Sequence, residues 1–144
     1  MSRLATLILI LSATAASAVE APKRYDVGNR PHHDATAGNA VVCAAVWQFM
    51  AENRIAVAPP ESGAFFGAAA PALPAAAGRL DPAMTVERFE DGAETIRQKI
   101  ASEYGKSRGN AQQEAAFQTA LDNQYFGCIG MIDDLVGKGL LQTN

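Results

Sequence analysis

The apolar residues of segment 86–100 recur at the spacing of an α-helix, and this pattern constrains the fold more than any other feature. Successive members are three or four positions apart, which places them in one stripe along a helix. The stripe consists of Val86, Phe89, Ala93, Ile96 and Ile100. No segment shows the apolar–polar alternation of a half-buried strand. The sequence therefore predicts an all-α protein.

Two helices are predicted in the first half of the chain. A long helix over 40–53 follows Asn39, a residue suited to N-capping. A short helix over 61–70 ends before a proline. Because five of the seven prolines lie between positions 59 and 82, we expect the rest of the stretch at about 55–80 to be an irregular, Ala/Pro-rich connection.

Two further long helices are predicted in the second half. One begins at Asp81, which is followed by a proline, and ends at Gly105. The other begins at the N-cap Asn110 and ends at Gly137 or Gly139. The predicted architecture is a small bundle of three long helices plus one short helix.

The two cysteines, Cys43 and Cys128, fall on the first and last long helices. They are separated by 84 residues, and the local C-x-x-C pair of redox enzymes is absent. In an oxidising compartment they are expected to form one structural disulfide joining those helices. A loop of this length corresponds to about 4.5 kcal/mol of chain entropy. Catalytic, metal-binding or intermolecular roles are the alternatives.

The N-terminal 18 residues have the three parts of a secretory signal peptide. Arg3 provides the basic start, residues 4–11 form an apolar run, and residues 16–18 read Ala-Ser-Ala. We therefore expect an exported protein, periplasmic or secreted. A membrane contact is expected only if this segment remains as an uncleaved anchor.

Two regions are predicted after the signal peptide. Residues 19–37 form an extended leader, and residues 38–144 form a single helical domain. The formal net charge of the whole chain is −3, and removal of Arg3 makes it more acidic. This charge argues against nucleic acid as a partner, since such binding needs clustered Lys and Arg.

Phe65 and Phe66 are flanked by Gly63 and Gly67. One interpretation is an exposed apolar tip that contacts a partner protein or covers a ligand pocket. The other is that both rings, like that of Trp47, belong to the core.

His32, His33 and Asp34 form the chain's one cluster of imidazoles with a carboxylate. These side chains could form a weak site for zinc, copper or nickel. However, adjacent residues of an extended chain point in opposite directions. A solvated leader without metal is the alternative.

Motifs for catalysis and cofactors are absent from the sequence. There is no phosphate loop, no dinucleotide fingerprint, no haem-attachment motif and no nucleophile elbow, so no cofactor is expected. The side chains left for acid–base chemistry are Glu87, Glu90, Asp91, Glu94, Tyr25, Tyr104 and Tyr125. The four carboxylates have the spacing of a solvated helix face.

The functional expectation is an exported, non-catalytic helical protein that binds a protein partner or an envelope component. A second hypothesis is a carrier of a small apolar ligand, or a periplasmic stress chaperone, that uses space between the helices. An enzyme of unrecognised type is a third, and it would need carboxylates converging on a cleft.

Overall fold

The computed structural model describes Tyr25, Gly28 and residues 30–141. These residues form helices and no strand, which confirms the all-α prediction, whereas the predicted signal peptide lies outside them. The helices are α1 (Ala37–Glu52), α2 (Pro60–Ala69), α3 (Leu73–Leu80), α4 (Val86–Ser107) and α5 (Ala111–Gly137), with a 3-10 turn at Ala70–Ala72. Helix α1 packs against α3, α4 and α5, and α2 packs against α5.

Helix α1 begins three residues earlier than predicted. Its N-cap is Thr36, whose side chain accepts a hydrogen bond from the Asn39 backbone N–H at 3.1 Å. Asn39 already lies inside the first turn, where its side-chain amide donates to the Asp34 carbonyl at 2.9 Å. Both residue types cap helices well. Thr36 is the cap here because its own backbone is extended, whereas Asn39 already lies inside the helix.

The Ala/Pro-rich stretch is mostly helical, which corrects the prediction of an irregular connection at about 55–80. Pro60, Pro71 and Pro74 each occupy the first turn of a helical segment. A proline in that position loses no intrahelical hydrogen bond, because the N–H groups of the first turn have no acceptor within the helix. The prolines thus divide the stretch into short helices.

Helix α4 starts at Val86 instead of near Asp81. Asp81 ends α3 as its C-cap, and its carboxylate accepts from the Ala83 N–H at 2.9 Å. Thr85 is the N-cap, and its side chain accepts from the Arg88 N–H at 3.2 Å. Val86 is consequently a first-turn residue that is 58% exposed, which corrects its assignment to the buried stripe.

The ends of α5 are where the sequence predicts them. The Asn110 side chain accepts from the Gln113 N–H at 3.0 Å, and Glu114 accepts from the Gly109 N–H at 2.8 Å. At the other end, Gly139 adopts a φ of +68°. This left-handed conformation favours glycine and allows the turn after the helix.

The predicted disulfide joins α1 to α5. Cys43 and Cys128 are fully buried, and their Cα atoms are 5.4 Å apart. Around them lies a core to which every helix contributes. Its fully buried large side chains are Phe49, Phe66, Leu73, Tyr125, Ile129, Met131, Ile132 and Leu135.

Residues 30–36, which we call the N-terminal strap, lie outside the helices and are not simply solvated. The His33 N–H donates to the Gly127 carbonyl of α5 at 3.1 Å. The guanidinium of Arg30 lies 4.2 Å from the centre of the Phe126 ring. Farther towards the N-terminus, Tyr25 N–H donates to the Asp133 carboxylate at 2.8 Å. This part of the leader therefore packs along α5.

Candidate ligand-binding cleft

An open cleft of about 770 Å³ lies between the second half of α4 and the first half of α5. Helix α1 contributes Val46, which together with Leu121 forms a buried floor. The apolar side chains that line it are Val46, Ile96, Ile100, Ala116, Phe117, Ala120 and Leu121. A mostly apolar concavity with a few polar groups is the usual form of a small-molecule site, and this volume lies within the usual range.

Small residues on α5 create the space. Ala116 and Ala120 line the cleft, at positions where larger side chains would fill the gap to α4. Between them lies Phe117, whose ring packs 5.3 Å from that of Tyr104 and 6.0 Å from that of Phe49, measured between centroids. These aromatic contacts stabilise the two helices beside the gap.

The cleft leaves apolar side chains partly open to solvent. Ile96, Ile100 and Phe117 are all half-buried, although the stripe on α4 predicts a buried position for both isoleucines. An apolar ligand seated here would remove this surface from water, which is favourable by about 25 cal/mol per Å².

The charged residues of the cleft all belong to α4. Lys106 pairs with Glu103 at 3.0 Å, and both side chains are well exposed. Lys99 forms no ion pair with any other described residue. Opposite them, α5 contributes neutral side chains, among them Gln113 and Gln124. The Gln124 amide oxygen also lies 3.0 Å from His33 Nε2, so one side chain contacts both the cleft and the N-terminal strap.

An ion-pair network connects α4 to α1 beside the cleft. Arg97 contacts Glu94 at 2.7 Å and Glu52 of α1 at 2.8 Å. Hydrogen bonds from Arg97, and then from Gln98, lower the pKa of Glu94 to about 2. Glu94 therefore remains a carboxylate and serves as a structural partner for Arg97.

A smaller cleft of about 380 Å³ lies between α1, the Ala/Pro-rich helices and α4. The half-buried indole of Trp47 forms one of its walls. Gly67 packs so closely on that ring that an added Cβ would lie 3.0 Å from Trp47 Cζ2. The exposed carboxylates Glu90 and Glu94 are at its edge.

The structure corrects the interpretation of Phe65 and Phe66 as an exposed tip. Their residue exposures are 8% and 0%, so both rings belong to the core. Phe65 stacks on Tyr25 at 5.5 Å, and Phe66 packs against Trp47 at 5.0 Å. The flanking glycines occur inside helix α2, where they admit neighbouring side chains, and not in a loop.

The His32-His33-Asp34 cluster is split by the packing of the strap. His33 faces Gln124, whereas His32 packs over Gly130. Within the described residues, no three His, Cys, Asp or Glu side chains are placed to hold a metal ion. The two histidines instead contact α5.

Of the candidate acid–base residues, Glu90 and Glu94 share the exposed edge of the smaller cleft, and the others do not join them there. Glu87, Glu90 and Asp91 are exposed along α4. Tyr125 is buried, and its hydroxyl lies 2.8 Å from that of Ser62. Burial raises the pKa of Tyr125, although the hydrogen bond with Ser62 lowers it in part. This tyrosine therefore stays protonated and links α2 to α5.

The chain matches no family model, no curated protein and no solved structure. None of the helices in the described part of the chain combines the length and apolar character needed to cross a bilayer. The arguments about function below therefore depend on the geometry of the chain itself.

Proposed function

We propose that this protein is an exported, non-catalytic carrier that holds a small apolar ligand in the cleft between α4 and α5. The observation that carries the proposal is the cleft itself, about 770 Å³ in volume and lined mainly by apolar side chains. Its half-buried isoleucines and phenylalanine present apolar surface that a ligand would cover. The Cys43–Cys128 disulfide supports the export part of the proposal, because such bridges persist in oxidising compartments.

A protein partner is a weaker candidate. The proposed contact surface for such a partner was Phe65-Phe66, and burial removes both rings from the surface. The cleft is also concave, which suits a small molecule better than a broad protein surface.

The test is binding of a neutral apolar dye, N-phenyl-1-naphthylamine, whose fluorescence rises in apolar surroundings. We expect the full-length protein to bind it and Ala120→Leu to bind about tenfold more weakly, which corresponds to about 1.4 kcal/mol. The added leucine atoms would occupy the space that Ala120 leaves between the two helices.

Ala115→Leu is the matched control. Ala115 is exposed on the same helix and does not line the cleft, so the same substitution should leave the dye affinity within about twofold. The proposal is rejected if the dye does not bind, or if both leucine variants bind it as well as the wild-type protein does.

A further inference from the structure

The charges in the cleft define the class of ligand more closely. Three charged side chains line it, Lys99, Glu103 and Lys106. Glu103 and Lys106 neutralise each other as a pair at 3.0 Å. Lys99 has no such partner among the described residues, and it therefore leaves one uncompensated positive charge in the cleft of an otherwise acidic protein.

The position of Lys99 places this charge beside the apolar surface. It lies three residues after Ile96 and next to Ile100, and all three line the cleft. Residues 96–107 of α4 extend for about 16 Å along the helix axis, so a chain-like ligand has room for a tail against the apolar wall. Its polar end would then be within reach of the flexible lysine side chain.

We infer that the ligand is an aliphatic monoanion, with its hydrocarbon chain in the cleft and its oxyanion head group paired with Lys99. The inference rests on the proposed function. A cationic head group would be repelled by Lys99, and the carboxylate that lines the cleft, Glu103, is already paired with Lys106. A neutral head group would gain no ion pair. The Ser107 hydroxyl donates its hydrogen to the Tyr104 carbonyl at 2.8 Å, so it could only accept a hydrogen bond from such a head group.

The experiment compares three probes with the same tail and different heads. Dodecanoate, dodecan-1-ol and dodecylamine are titrated into the full-length protein at neutral pH, below the concentrations at which they aggregate, by displacement of N-phenyl-1-naphthylamine. We expect dodecanoate to bind up to about fivefold more tightly than the alcohol, which is the upper end of what an exposed ion pair contributes. The amine should bind most weakly.

Two variants of Lys99 test the assignment of the charge. Lys99→Gln should lower the affinity for dodecanoate to that for the alcohol and leave the affinity for the alcohol unchanged. Lys99→Glu should make the protein bind the amine more tightly than dodecanoate. Lys138→Gln is the control, because Lys138 is an exposed lysine paired with Asp134 outside the cleft, and it should preserve the preference for dodecanoate.

The outcomes separate this inference from the proposed function. Equal binding of all three probes to the wild-type protein overturns the anionic head group and leaves the carrier function standing. A preference for dodecanoate that survives in Lys99→Gln overturns the role of Lys99. Failure of the dye and all three probes to bind overturns both proposals.

Discussion

Gly127 and Gly130 determine how closely the N-terminal strap can approach α5. A Cβ on Gly127 would lie 2.8 Å from His33 Nε2, and one on Gly130 would overlap the Cβ of His32. Glycine inside a helix costs up to about 1 kcal/mol relative to alanine. At Gly130 this cost is accompanied by a contact with the Cβ of His32 that no larger residue permits, whereas at Gly127 the neighbouring atoms belong to the end of the His33 side chain, which can move aside.

Gly130→Ala should detach the strap from this part of α5. The new methyl group meets the His32 Cβ, which is close to the backbone, so the strap must move away as a unit. We expect the His33 amide, which donates to Gly127, to exchange its hydrogen faster than in the wild-type protein. Hydrogen exchange followed by NMR or mass spectrometry measures this directly.

Gly105→Ala is the control for this substitution. Gly105 is an exposed glycine within α4, and an added Cβ there would meet nothing within 4 Å. It should raise the free energy of unfolding by up to about 1 kcal/mol and leave His33 exchange unchanged. Wild-type exchange at His33 in Gly130→Ala would show that the strap does not depend on this glycine.

The identity of the contact at these glycines could not be predicted from the sequence. Glycines at 127 and 130 indicate a close approach near Cys128, because each weakens the helix that contains it. The partners, His32 and His33, are nearly a hundred positions away and have the composition of a solvated leader. Only the folded arrangement brings them together.

At the level of the helices, the sequence predicts which residues share a buried face better than it predicts where a helix begins or ends. Phe89 and Ala93 are buried as the stripe on α4 predicts, because helical spacing determines which residues share a face. The predicted start of α4 at Asp81 was wrong, since Asp81 and Thr85 both have side chains that cap helices. Asp81 ends α3, which stops at Leu80, and this leaves Thr85 as the cap of α4.

Thr85→Ala should therefore destabilise the protein by about 1 kcal/mol, because the Arg88 N–H loses its side-chain acceptor. Thr95→Ala in the same helix should cost little or add stability. The Thr95 hydroxyl bonds the Asp91 carbonyl of the preceding turn, and that bond contributes nothing to helix capping. Chemical denaturation of both variants makes the comparison. Equal losses at the two threonines would mean that Thr85 does not act as the cap.

The cleft could not be found from helical periodicity. The spacing of Ile96, Ile100, Phe117 and Leu121 indicates that α4 and α5 face each other with apolar sides. It does not indicate how far apart the two sides lie. The one indication of the cleft in the sequence is the pair of alanines at 116 and 120, because their side chains are too small to fill the gap between α4 and α5.

At the scale of the whole molecule, the disulfide fixes the two helices that form the floor of the cleft. Cys43 precedes Val46 by one turn of α1, and Cys128 follows Leu121 by two turns of α5. The same bridge spans 85 positions of the chain. Stability and the geometry of the cleft floor should therefore both depend on it.

Reduction of the Cys43–Cys128 bridge should lower the free energy of unfolding by about 4.5 kcal/mol, the chain entropy associated with a loop of this length. That amount is a large part of the total stability of an ordinary domain. The measurement is chemical denaturation of the oxidised and reduced wild-type protein, since reduction removes the cross-link and keeps both buried sulfur atoms. The double variant Cys43→Ala/Cys128→Ala should lose more stability than the reduced wild-type protein, because it also leaves a cavity.

Thiol counting on the denatured, unreduced protein should find no free thiol. Two free thiols, or identical denaturation of the oxidised and reduced forms, would contradict a stabilising bridge.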